Sequence, residues 1–135
     1  MADRVTAGKT PTQTFALVFG AVYLLVGLLG FVNDPILGIF NVNALHNIVH
    51  LAVGAAWLFS SRDHATAKMV SLAIGVVYLL VAVLGFVAQD LMEDLLDITD
   101  NATGMADNFL HLASGALGVY FGTRDATTGA RTSTV

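Results

Sequence analysis

The chain has 135 residues, 56% of them hydrophobic and only 12% charged, with a formal net charge of −4 and no cysteine. A soluble globular protein carries roughly 25% charged residues, so this composition, with a mean hydropathy of +0.73, points to a membrane protein. Absence of cysteine excludes disulfides and thiolate chemistry, and the acidic balance argues against a nucleic-acid partner, which needs a basic surface.

Residues 1–13 read as a polar tail carrying Arg4 and Lys9. The first membrane span is expected over about 14–33. Its apolar run exceeds the ~7–15 residues of a signal-peptide core and no small-residue cleavage site follows, so it is read as part of the fold. The second span, over 44–60, holds Leu-His-Asn-Ile-Val-His-Leu at 45–51. At 17 residues it sits near the lower limit for crossing a bilayer core of ~30 Å. A basic turn with Arg62, His64 and Lys68 leads to the third span, over 68–89; His64 there is read as ordinary surface. The stretch 90–105 holds Asp90, Glu93, Asp94, Asp97 and Asp100, and spaces Leu91, Met92, Leu95, Leu96 and Ile98 as a short amphipathic helix. That helix would lie on the membrane or cap the fold, and its carboxylates form either a cation-collecting lip or a solvated polar face. The fourth span, over 106–122, opens with Ala-Asp-Asn-Phe-Leu-His-Leu and is followed by a tail over 123–135.

The two halves repeat. Gly-Ala-Val-Tyr-Leu-Leu-Val at 20–26 returns as Gly-Val-Val-Tyr-Leu-Leu-Val at 75–81, and Gly-Phe-Val follows at 30–32 and at 85–87. Aligning 45–51 with 106–112 places His46 opposite Asp107, Asn47 opposite Asn108, His50 opposite His111 and Gly54 opposite Gly115. The expected fold is therefore all-α: an integral membrane four-helix bundle over 14–122, built from two tandem hairpins (14–63 and 68–125). Each hairpin enters and leaves on one side, so the repeats would be related by a pseudo-twofold axis along the membrane normal. All six basic residues then fall on one side, and the positive-inside rule puts both termini in the cytoplasm. Trp57, Phe59, Tyr120 and Phe121 are expected near the inner interface as a partial aromatic belt, with Phe31 and Phe86 near the outer one.

Positions four apart share a helix face, so His46, His50 and Gly54 form one stripe, and Asp107, His111 and Gly115 its counterpart. Ionisable groups at membrane depth are costly and turn inward, where they mark a function or a polar pairing. His50 would lie roughly 9 Å inside the outer surface at 1.5 Å per residue. Gly20, Gly27, Gly54, Gly75, Gly115, Gly118 and Gly122 are read as close-packing positions between helices. Tyr23 and Tyr78 are equivalent mid-span residues whose hydroxyls need partners when buried.

Several readings of the polar cluster stand side by side. One is a structural hydrogen-bond network that fixes helix register. The second is a transition-metal site for zinc, iron or manganese, with His46, His50, Asp107 and His111 as ligands and Asn47, Asn108, Tyr23 and Tyr78 behind them. A bis-histidine haem between His50 and His111, and proton or small-solute transport, are further alternatives. No nucleophile or complete acid–base set is identifiable, which makes an enzyme the weaker class. Partners would be the lipid bilayer, with homo-oligomerisation or other membrane proteins left open.

Gly20-x-x-Tyr23-Leu24-Leu25-x-Gly27-x-x-Gly30-Phe31, Gly38-Ile39-Phe40 leading to Asn43, His46-Asn47-x-x-His50-Leu51 and Asp107-Asn108-x-x-His111-Leu112 together resemble family 4383 of the domains of unknown function, a group of small four-helix membrane proteins. The resemblance covers roughly residues 14–122 and implies fold and location, with no activity attached. Ala82 stands where the repeat would have the equivalent of Gly27, which implies looser packing of the third span.

Overall fold

The structure, a computed structural model, describes residues 8–98 and 102–124. Arg4, Arg131, Asp100 and most of both expected tails lie outside the described residues. The chain is all-α, with helices α1 (Pro11–Leu29), α2 (Ala44–Ser60), α3 (His64–Val87), α4 (Gln89–Leu96) and α5 (Ala102–Thr123).

Helix boundaries follow from capping rather than hydropathy. Thr10 accepts from the Gln13 backbone while the Gln13 side chain returns to Thr10 N, and Pro11 opens the helix, so α1 starts three residues before the apolar run. Asn43 caps α2 by accepting from His46 N at 2.9 Å. Asp63 caps α3, which therefore begins at His64 and not at 68.

Asp63 also gives a pH-dependent element. Its Oδ2 accepts from both the backbone N and the hydroxyl of Thr66, each at 2.8 Å. These bonds, the backbone one foremost, hold the carboxyl below its ordinary value of 3.8. A depressed folded-state pKa gives a contribution that is fully present above the unfolded value and lost as pH falls through the folded one. Acidification from about pH 6 to about pH 3 should therefore reduce amide protection in the first turn of α3. In Asp63→Asn, which caps without titrating, that protection should not change with pH; equal loss in both proteins would refute the assignment.

Two helix pairs carry the most extensive contacts, α1 with α2 and α3 with α5. In each the backbones touch. A Cβ on Gly20 would lie 2.6 Å from Leu58 N, and one on Gly54 2.6 Å from Leu24 N. A Cβ on Gly75 would lie 2.5 Å from Val119 N, and one on Gly115 2.8 Å from Leu79 N. Gly27, Gly118 and Gly122 likewise abut Asn47 and Leu51, Gly75, and Leu72 respectively. Ala82 is fully buried, so a methyl group fits at that position of α3.

Polarity is distributed inside out. Val18, Val22, Leu25 and Leu28 on α1, and Val76, Val77, Leu80, Val83 and Val87 on α3, face outward. Thr12, His46, Asn47, His50, Ser71, Asp107, Asn108, His111 and Ser114 are buried. Two helices, α1 and α3, are long and apolar enough to cross a membrane. Only about a third of each apolar window is buried (33% and 28%), the reverse of a soluble core helix, which is mostly enclosed. At 17 residues α2 is shorter, and α5 is diluted by Asp107, Asn108, His111 and Ser114.

One end of the molecule gathers the start of α1, the α2–α3 turn and the end of α5. Lys9 Nζ and Gln13 Nε2 donate to Ser61 O at 3.0 and 3.1 Å, and Thr12 Oγ1 to Phe121 O at 3.0 Å. His64 Nδ1 lies 2.8 Å from Thr10 Oγ1, so this residue joins α3 to the α1 cap and is more than ordinary surface. An aromatic core follows: Phe15 stacks on Phe121 at 4.7 Å, and Trp57 meets Phe15, Phe19 and Tyr23 edge-on at 5.3–5.7 Å. Trp57 is thus fully buried and not part of an interfacial belt. It lies three residues after Gly54 and seven after His50, on the same buried stripe, and helix rotation outweighs its closeness to the helix end. Phe59 and Tyr120 do face outward, as do Phe31 and Phe86 at the other end.

Candidate metal centre

The polar cluster forms where the buried stripe in the first two turns of α2 meets the second and third turns of α5. The α2 stripe buries His46, Asn47, His50, Gly54 and Trp57. The α5 stripe buries Asp107, Asn108, His111, Ser114, Gly115 and Gly118. His46 and His50 have ring centroids 4.4 Å apart; His111 lies 5.7 Å from His46 and 6.2 Å from His50. Each of the three offers one nitrogen, and these nitrogens lie within 4.8 Å of one another. Exposure of each ring is 2% or less.

Hydrogen bonding fixes one tautomer. His46 Nδ1 lies 2.8 Å from Leu96 O. A carbonyl can only accept, so Nδ1 carries the proton and Nε2 presents its lone pair. That Nε2 has no hydrogen-bond partner, nor do His50 Nδ1 and Nε2 or His111 Nδ1. Leaving a buried polar atom unsatisfied costs about 1–3 kcal/mol. Several such atoms gathered in one place leave donor and acceptor capacity for an ion or a water.

The two tyrosines flank the imidazoles in matching fashion. Tyr23 meets His50 edge-on at 5.2 Å, and Tyr78 meets His111 at 5.1 Å. Tyr23 donates to Ser114 Oγ at 2.8 Å. Ser114 belongs to the site although the motif comparison does not single it out; its position three residues after His111, on the polar stripe, was the available signal.

The asparagines point elsewhere. Asn108 Nδ2 donates to Gly85 O at 3.0 Å, and a Cβ on Gly85 would collide with the Asn108 side chain. A Cβ on Gly30 would collide with Asn47 in the same way. Both side chains thus seat against a glycine in the closing turn of the neighbouring helix or just past its end. Asp107 is buried, with Oδ2 unpartnered, but falls outside the group of three nitrogens. A carboxylate is shorter than an imidazole, so the residue aligned with His46 reaches less far toward the common centre.

The end of α4 closes this side of the cluster. Met92 and Ile98 are buried, while Leu91, Leu95 and the carboxylates of Asp90, Glu93 and Asp94 face outward. Helix α4 is therefore a cap. Asn43 Nδ2 donates to Leu95 O at 3.0 Å, one residue from the Leu96 carbonyl that holds His46. Asp97 follows in the left-handed region (φ 60°), which Asp tolerates better than most residues. Burial, and then the charge of Asp34, raise its carboxyl above the ordinary 3.8.

Three nitrogens from two helices suit zinc, which binds histidine at ≈ 2.0–2.1 Å and keeps an open position when the protein supplies three ligands. The model of the family described as Domain of unknown function (DUF4383) matches residues 13–124. The chain belongs to this family. The matched DUF4383 region holds both glycine-lined helix pairs, the three histidines and the α4 cap, and omits only Pro11, Thr12 and the residues outside the helices' two ends. No curated protein and no solved structure matches the chain.

Proposed function

We propose that this DUF4383 protein is a multi-pass membrane protein of two tandem helix hairpins that holds a transition-metal ion at His46, His50 and His111. The observation that carries the metal reading is three buried imidazoles that each offer a nitrogen within 4.8 Å of the others, with His46 Nε2, both His50 nitrogens and His111 Nδ1 lacking hydrogen-bond partners. Nitrogen donors alone favour zinc over manganese, which prefers oxygen ligands; iron is intermediate. Asp107 is buried one turn before His111 on the same helix face and is not among the three ligands.

The tandem reading rests on equivalent contacts. Gly20 meets Leu58 and Gly54 as Gly75 meets Val119 and Gly115, and Gly30 meets Asn47 as Gly85 meets Asn108. With the outward faces of α1 and α3 in lipid, α2 and α5 complete a four-helix bundle. Lys9, Arg62, Lys68 and Arg124 share the end where α1 begins and α5 stops, which the positive-inside rule makes cytoplasmic. The cluster then lies in the outer half of the membrane.

A structural network accounts for Asn108 on Gly85 and for Tyr23 on Ser114, but leaves the imidazole nitrogens unpaired. For haem between His50 and His111, the macrocycle would have to share its space with the His46 ring, 4.4 Å from His50.

Protein purified without chelators should carry about one zinc per chain by elemental analysis, lost in His50→Ala and in His111→Ala, with no Soret band. Wild-type protein that stays metal-free after exposure to zinc, iron and manganese would leave only the structural network.

A further inference from the structure

Three carboxylates of decreasing exposure stand on the elements around this end of the molecule. Asp34 is exposed in the α1–α2 connection, Asp97 is half-buried after α4, and Asp107 is buried on α5. Asp97 lies within electrostatic reach of both Asp34 and Asp107. Their surroundings are joined by hydrogen bonds. Asp34 Oδ1 accepts from Val42 N at 3.2 Å, the adjacent Asn43 donates to Leu95 O, and His46 donates to Leu96 O. Asp107, 1% exposed, has its Oδ2 without a hydrogen-bond partner and lies four residues before His111 on the same helix face.

The opposite approach is filled by aromatic side chains. Between the cluster and the other end lie Tyr23, Tyr78, Trp57 and Phe15, all buried, and beyond them the basic residues Lys9, Arg62 and Arg124. A cation meets an aromatic plug and repulsive charge there, and attraction at the acidic end.

We propose that the metal cation reaches the three-histidine cluster from the acidic end, passing along Asp34, Asp97 and Asp107, with residues 95–98 as the gate. This rests on the metal reading above. Leu95 and Leu96 are tied to α2 through their carbonyls, and fully buried Ile98 fills the space behind them. The tie to Leu96 is made by a ligand histidine. Displacing the gate therefore frees His46 to turn, and re-forming the bond sets its Nδ1–H again, leaving Nε2 for the ion.

The test is stopped-flow association of zinc with metal-free, full-length protein in nanodiscs of zwitterionic lipid. Asp34→Asn and Asp97→Asn should each slow association about threefold to tenfold at low salt, an advantage that shrinks as salt is raised. Lys9→Ala should leave the rate unchanged. Asp34→Lys, at an exposed position, serves where Asp97→Asn alters folding, and should slow association further. Wild-type rates in the Asp34 and Asp97 variants, with one zinc still bound, would overturn the path and leave the site standing. Absence of zinc binding in the wild type would overturn both.

Discussion

Gly75→Leu is expected to prevent assembly of the folded protein. A Cβ at this position would fall 2.5 Å from Val119 N, 2.8 Å from Gly118 C and 2.9 Å from Gly115 O. All three are main-chain atoms, so no rotamer change relieves the contact, and α3 and α5 must separate. Overpacking among movable side chains costs about 1–3 kcal/mol. Here the separation also removes the close backbone approach through which helices attract one another in lipid, where apolar burial gives little. Gly75→Ala already introduces the offending atom and should lower stability by about 1–3 kcal/mol; Leu adds three more carbons against the same backbone. Gly20→Leu, facing Leu58 N at 2.6 Å, should behave alike. Gly8→Leu is the control, since nothing lies within 4 Å of its Cβ. The measurement is reversible unfolding in mixed detergent micelles, with size-exclusion profiles of the purified variants. A Gly75→Leu protein with a wild-type midpoint would show that the pair packs otherwise.

The sequence was most readable where side-chain periodicity and burial coincide. The inward stripes of His46, His50 and Gly54, and of His111 and Gly115, follow from spacing alone. Spacing could flag the glycines as small but could not say that their missing Cβ atoms leave room for backbone. The starts of α1 and α3 were misplaced because Thr10, Gln13 and Asp63 extend helices by hydrogen bonding into polar sequence, where hydropathy is silent, and α5 begins at Ala102, four residues before the expected 106. Trp57 was read by its distance from the helix end, although the 50–54–57 spacing already put it inside. Aligning Asp107 with His46 gave the right face and the right depth along the chain, but treated two side chains of different length as equal in reach. The Leu96 carbonyl had no sequence signal at all, since every residue carries one. It was the fold of residues 95–98 that brought this carbonyl to His46.

Replacing His50 by leucine should have opposite effects with and without metal. In chelator, both ring nitrogens of His50 are buried without partners. Each unsatisfied atom costs about 1–3 kcal/mol, and leucine removes both while filling a similar space beside Tyr23. The chelated His50→Leu protein should therefore be at least as stable as chelated wild type, by a margin of about 1–3 kcal/mol. Zinc at a hundredfold excess over its dissociation constant stabilises a native state that binds it by about 2.7 kcal/mol, and at a thousandfold excess by about 4.1. Wild type gains this and the variant, reduced to His46 and His111, does not, so the order of stabilities reverses on adding zinc. A structural network predicts something else: His50→Leu would lower stability by the same amount in chelator and in zinc, because the lost contacts would be indifferent to the ion. Unfolding midpoints of the two proteins under the two conditions separate these outcomes. Reversal requires that the imidazoles be arranged for a ligand rather than for one another.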